Sequence, residues 1–489
     1  MIDYKLVIKN VFWIVALIFA CRFTHAFAAP ALVLLAIAAT FARRNTLPIW
    51  TCLALPFVVC TSAYIIIDRT PLVLSARIGY ILIGITLTVL NLKCMKNKSV
   101  PLGLLFVYCA FEVFPSAFGY SPRVSYYKLL FFSLYILSLC AFAKSIVVNI
   151  TLVNGARHML LAICVVLLIG SLCTLPFPAV AYPLTTRWLL QEGMDLATAN
   201  QEIAATMGTR GMMLFAGLTL HSQMLGPMLT MVICYLLCDM LFVEHRTTKF
   251  HALLLIVSFV FAYMTRSRTA LFSLIVAITM IGVFTSRHIQ LSARAKRSVH
   301  GALALFACVV VIGAIAAEIR SGALTKWLFK GEVGSSSTVN AITGTRLGAI
   351  EELTRDFKRK PLIGCGFQVN EDSARFNRET FVFSAPVEKG LLPLVIIGEG
   401  GILGTIIFIL FLIVFYFSCI KMRLYCTVTS FTTMLATNIG EATFFAPGGV
   451  GGFLWCFAII GGGVLDALQK RDSRGMVQIY RTLPYGYAN

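Results

Sequence analysis

Residues 343–404 read TGTRLGAIEELTRDFKRKPLIGCGFQVNEDSARFNRETFVFSAPVEKGLLPLVIIGEGGILG. This is the longest polar passage in a chain otherwise made of apolar runs, and its last third passes straight into another such run. Within it, Leu347, Ile350, Leu353 and Phe357 recur at helical spacing, while Glu351, Glu352, Arg355 and Lys358 take the other side. The pattern predicts an amphipathic helix over about 345–359, ended by Pro361. Residues 362–367, with Gly364 and Gly366, read as a tight turn able to bring backbone close to a ligand. A polar insertion of this length between apolar runs is more than a connector.

The surrounding composition sets the class. Of 489 residues, 58% are hydrophobic and 13% charged, whereas a soluble protein carries about twice that charge density. The chain therefore reads as an all-α polytopic integral membrane protein, one membrane domain over residues 1–489. The net charge of +20 is what basic connections on one side of a membrane produce, so no nucleic-acid partner is expected. The 15 cysteines are scattered, and most, such as Cys21, Cys52, Cys60, Cys109, Cys164 and Cys308, lie inside apolar runs. They read as small buried residues, and no metal site is expected from them. No cleavable signal is expected either, because a second apolar run follows the first almost at once.

Apolar runs long enough to span a bilayer lie near 7–22, 26–42, 48–67, 72–92, 100–117, 127–148, 157–177, 212–243, 251–265, 269–286, 301–317, 391–419, 425–441 and 449–467. They predict about 12 to 14 transmembrane helices. Alternate connections are basic: Arg43 and Arg44; Lys93, Lys96 and Lys98; Lys144 to Arg157; Arg246 and Lys249; Arg287 to Arg297; Lys421 and Arg423; and the tail with Lys470, Arg471 and Arg474. This alternation predicts that both termini are cytoplasmic. The connections left facing outward include the loop 178–211, the turn at 266–268 and the large loop 318–390.

Several polar residues sit where these outward connections meet the spans. Arg210 lies in GTRGMMLFAGLTLHSQMLGP, with His221 expected about three turns down the same helix. Arg266 and Arg268 occupy the turn in MTRSRTALFSL, Arg346 begins the predicted loop helix, Glu388 and Lys389 stand at the boundary in PVEKGLLPLV, and Glu399 lies inside the span. An arginine at such depth is costly unless paired or facing a wet cavity. Several together suit an anion, since the guanidinium fork holds phosphate oxygens at two points and can bind a diphosphate without metal. A carboxylate within reach of an attacking hydroxyl acts as general base. The combination fits a transferase using a lipid-diphosphate donor.

GTRGMMLFAGLTLHSQMLG resembles the outer-loop-to-helix element of the O-antigen ligase and Wzy-type polymerase family, and TRSRTALFSLIV is similar to that family's serine-arginine turn. TGTRLGAIEELTRDFKRKPLIGCGF followed by EKGLLPLVIIGEGGILG resembles its large periplasmic loop and the helix after it. The resemblance covers about residues 205–405. It implies a GT-C-like helical fold in the bacterial inner membrane and an active site facing the periplasm. It also implies metal-independent, inverting transfer of glycan from undecaprenyl diphosphate, with no cofactor. Donor and acceptor would be undecaprenyl-diphosphate-linked glycans, and a chain-length regulator or flippase is a candidate protein partner. By matching motifs, Arg210 and Arg268 bind the diphosphate, with Arg346 as a third and Arg266 beside them. The ligases carry a histidine followed by Asn where this chain has Glu388 and Lys389, and the loop 318–390 contains no histidine. That departure favours a polymerase with Glu388 as base over a ligase; His221, Lys389 and Glu399 are secondary candidates.

Each residue also has a plain structural reading. Arg266 and Arg268 can anchor the boundary by snorkelling outward, Arg346 can be a helix-surface residue, and His221 a satisfied interior histidine. Glu399, among Gly398, Gly400 and Gly401, can cap or break its helix, and Glu388 can be ion-paired and inert. Cys365 is assigned no role. The competing functions are a polymerase of lipid-linked repeat units making exopolysaccharide or O-antigen, a ligase moving finished glycan to another acceptor, and a lipid-glycan transporter or flippase. The gathering of polar residues on one face, without two similar halves, argues against transport.

Overall fold

The computed structural model describes residues 2–24, 53, 57, 100–174, 215, 217–219, 222–244, 248–265, 267–288, 347–369, 391–441, 443–446 and 450–474. Among these residues the regular structure is entirely helical. In chain order the helices are α1 (Tyr4–Thr24), α2 (Val100–Ala117), α3 (Pro122–Val148), α4 (Ile150–Cys173), α5 (Ser222–Cys238), α6 (Lys249–Met264), α7 (Arg268–His288), α8 (Leu347–Arg359), α9 (Leu392–Lys421), α10 (Tyr425–Asn438), α11 (Val450–Trp455) and α12 (Gly462–Arg474). Wider π-type turns extend α5 through Asp239–Val243 and join α11 to α12 through Cys456–Gly461. Among the described residues six helices are long and apolar enough to cross a membrane, the architecture of a multi-pass protein that associates with a lipid bilayer. The runs expected at 26–42, 72–92 and 301–317, most of 48–67, the loop 178–211 and most of 318–390 lie outside the described residues.

Local chemistry sets the helix ends. Asn149 alone separates α3 from α4: its backbone is extended, and its side chain accepts from the Thr151 amide at 2.9 Å, capping α4. Thr248 caps α6 in the same way, accepting from the His251 amide at 3.2 Å. The expected amphipathic helix is present as α8 and stops ahead of Pro361.

One expectation is corrected. Arg210 and His221 lie outside the described residues, but the described residues between them do not continue α5 backwards. Phe215 and residues 217–219 are non-helical, Gly217 has a φ of 53°, and α5 begins at Ser222. The reason is where the backbone donors go: the Phe215 amide bonds to the Met264 carbonyl at 3.4 Å and the Leu218 amide to the Ser171 hydroxyl at 3.2 Å. These bonds reach α6 and α4 instead of closing a helical turn.

From Leu225 to Cys238 every side chain of α5 is buried, which places this helix at the centre, against α6, α7, α10 and α11. A helix apolar all round is stable only when surrounded. By contrast α9 runs along α2 at the perimeter. It buries Phe408, Phe411 and Phe415 while exposing Ile402, Ile406, Ile409, Ile413, Phe417 and Ile420. An apolar stripe of this length suits acyl chains and not water.

The helix ends segregate into two polar layers. At one end Arg157 of α4 forms a two-point ion pair with Asp239 at 2.9 and 3.0 Å and reaches Glu244 at 2.7 Å. His251 Nε2 lies 3.0 Å from Asp239 and its Nδ1 2.8 Å from the Thr248 hydroxyl. Nearby, Asp466 of α12 accepts from the Cys426 and Thr427 amides at 2.9 and 3.0 Å and so caps α10 from another helix. The opposite end carries the residues 118–121, 217–219, 265, 267–268, 360–369, 439–441 and 443–446, and is here called the loop end.

Candidate functional site at the loop end

After α8 the chain turns on itself through residues 360–369. Gly364 and Gly366 take φ values of 77° and 103°, and Gln368 takes 51°, conformations that favour glycine at the first two positions. The turn closes on itself where the Gly364 amide bonds to the Lys360 carbonyl at 2.9 Å.

Its partner is a break in α9. Gly401, with φ 62° and ψ −162°, interrupts that helix. In an unbroken helix the amides of Ile402 and Leu403 would bond to the carbonyls of Gly398 and Glu399. Instead Ile402 bonds to the Pro361 carbonyl at 2.9 Å and Leu403 to the Leu362 carbonyl at 3.2 Å. The released carbonyls of Gly398 and Glu399 accept from the amides of Cys365 at 2.9 Å and Gly366 at 3.1 Å. The turn is thus spliced into the helical ladder, so none of these backbone groups is left unsatisfied in an apolar setting. The fit leaves no room for a side chain: a Cβ on Gly364 would overlap the Glu399 carbonyl oxygen, and one on Gly401 would lie 2.5 Å from that of Leu362.

The turn also docks on α2 and α3. The Phe367 amide donates to Ser116 Oγ at 3.3 Å, and Ser125 Oγ donates to the Phe367 carbonyl at 2.9 Å. The Phe367 ring is fully buried between Phe132 and Phe445, with centroids at 5.9 and 5.2 Å. Lys128 donates to the Gln368 carbonyl at 2.9 Å, Lys360 to the Phe118 carbonyl, and Tyr120 to Asp356 at 2.5 Å. Burial, and then the Asp356 carboxylate, raise the Tyr120 hydroxyl well above its usual range and keep it a donor. Arg359 donates to the same tyrosine oxygen at 3.2 Å.

Beneath the turn lie two buried carboxyl groups. Glu399, immediately before Gly400 and Gly401, is 0% exposed, and so is Glu112 on α2. Gly400 and Gly404 make the space for Glu112: a Cβ on Gly400 would overlap its Oε1, and one on Gly404 would lie 3.3 Å from it. Both carboxyls are within electrostatic reach of the buried Tyr108 hydroxyl, whose ring stacks on Phe445 at 5.7 Å. Ionisable groups at such depth are functional candidates by default. Glu112 was not ranked in the sequence, although the small residues facing it on α9, GGILG, were legible as a close-approach motif.

Arg268 opens α7 beside the buried Ser267 and Thr265. The chain just past α10 packs on the next residue, Thr269: a Cβ on Gly440 would overlap Thr269 Oγ1, so Glu441 and Arg268 are sequence neighbours of a direct contact between helix ends. Beyond Glu441, Phe445 reaches the glycine turn, where it packs edge to face against Phe367. Arg268 and Glu399, both singled out in the sequence, therefore belong to one end of the molecule. Arg210, His221, Arg266, Arg346, Glu388 and Lys389 lie outside the described residues. Among the described residues no three His, Cys, Asp or Glu side chains converge as metal ligands. No protein-family model, curated protein or solved structure matches the chain.

Proposed function

We propose that the chain is a membrane glycosyltransferase that polymerises undecaprenyl-diphosphate-linked repeat units into exopolysaccharide or O-antigen, with the loop end facing the periplasm and both termini cytoplasmic. The observation that supports it best is the gathering at one end of Arg268, the glycine turn and the carboxyl-bearing break in α9. These are parts of motifs whose order resembles the polymerase family. In this reading an acceptor sugar hydroxyl attacks the anomeric carbon of the donor while Glu388 takes its proton. The bond from that carbon to the diphosphate oxygen breaks, and the electron pair leaves on the diphosphate, stabilised by Arg210, Arg268 and Arg346. Attack opposite the leaving group inverts the anomeric centre. The fold would be GT-C-like.

Two other readings remain open to the same assay. A ligase would use the same donor and a different acceptor. A lipid-glycan transporter is favoured by one observation, the discontinuous α9 with buried Glu399 and Glu112, a device that transporters use around their substrates. Purified protein given an undecaprenyl-diphosphate oligosaccharide should release undecaprenyl diphosphate and build longer lipid-linked glycans. Release without lengthening indicates a ligase, and translocation in proteoliposomes with neither product indicates a transporter. Glu388→Gln should slow lengthening about 100-fold or more with donor binding retained; near-normal lengthening would remove Glu388 as the base.

A further inference from the structure

We infer that the C-terminal end of α8 and the adjoining turn form a seat for the headgroup of an anionic phospholipid, which holds the turn in the break of α9. The inference rests on the membrane reading and not on glycosyl transfer.

Residues 355–360 read RDFKRK. The acid, Asp356, is buried and engaged by Tyr120, while Arg355, Lys358 and Arg359 are exposed. Two of the cations are fixed in place by more than their own helix. Arg359 donates to Tyr120 and lies 5.8 Å from the centre of its ring, and Lys360 donates to the Phe118 carbonyl. Arg355 and Arg359, one helical turn apart, share a face. Favourable interaction with the helix dipole accounts for a cation or two in a last turn, not for four in six residues with two of them held on the neighbouring 118–121 turn.

Directly beside this run the surface becomes apolar. Leu362 is 61% exposed, Phe118 59% and Phe114 54%, and the two phenylalanines stack edge to face at 5.2 Å. Leu362 is joined through its carbonyl to Leu403, which begins the exposed apolar stripe of α9. The cations thus stand at the rim of the surface that faces acyl chains. A negatively charged headgroup above its own acyl chains satisfies both halves of this surface, each cation near an anionic lipid surface adding to affinity. Because Lys360 and Leu362 belong to the spliced turn, a lipid bound there clamps the turn in place.

The test uses the full chain in nanodiscs. Native mass spectrometry should show wild type retaining phosphatidylglycerol over phosphatidylethanolamine, and Arg355→Gln with Lys358→Gln should lower that preference about tenfold. The charge-conserving pair Arg355→Lys with Lys358→Arg should keep it. Amides 363–367 should exchange more slowly in phosphatidylglycerol-containing discs than in discs of phosphatidylethanolamine alone, and the glutamine pair should abolish the difference. Equal retention of both lipids by wild type, an unchanged preference in the glutamine pair, or retention of polyprenyl diphosphate without phosphatidylglycerol would each overturn the inference. None of these readouts depends on glycan transfer, so they stand apart from the polymerase assay.

Discussion

A methyl group on Gly364 would strike the Glu399 carbonyl oxygen and would have to be carried at a φ of 77°. Both effects act on the point where the turn enters α9. Gly364→Ala should therefore lower stability by about 1–3 kcal/mol, read as a lower thermal midpoint in detergent. Gly103→Ala is the control, since no atom lies within 4 Å of a Cβ there and alanine is the better helix former. Equal midpoints for the two variants would show that the turn is not locked. The sequence marked Gly364 and Gly366 as a place of close backbone approach, but the approaching group is the backbone of α9. Glu399 was legible as a residue able to break its helix, and its neighbour Gly401 does so. Glu112 had no signal in its own surroundings, because its burial depends on the glycines of α9, far along the chain.

At the level of elements, the amphipathic period of residues 347–357 was enough to draw α8, and Pro361 its end. The apolar runs that fall on described residues likewise became helices, most with boundaries shifted by a few residues. The run at 212–243 departed from expectation because the amides of Phe215 and Leu218 found partners on α6 and α4, which no local pattern reveals. Docking of α8 depends on Leu353, 2% exposed and packed against Gly398. Leu353→Ala should cost about 2–5 kcal/mol locally. Hydrogen exchange should quicken across 347–367 while α5 keeps its protection; uniform quickening would mean that α8 is not a separable unit. The network of Arg157, Asp239 and His251 at the opposite end is likewise built from three helices, and it coincides with the wider turn at 239–243.

For the whole molecule, the alternation of basic connections predicts which end faces outward, and the two polar layers supply places to test it. In a Cys173→Ser background, which removes an exposed native thiol, Thr354→Cys on exposed α8 should react with a membrane-impermeant maleimide on intact cells. Arg423→Cys, beyond the far end of α9, should react only after permeabilisation. The reverse pattern would invert the proposed orientation. Helix class, the placement of the described spans and the existence of α8 were determined by the sequence alone, because each depends on hydrophobicity and periodicity among near neighbours. Only the tertiary structure decided that the polar passage is stitched into a broken span, that Glu112 and Glu399 lie together beneath it, and that Arg268 shares that end. Those outcomes depend on backbone groups and glycines brought together from helices far apart in the chain, where the drive to satisfy every buried polar group selects the partners.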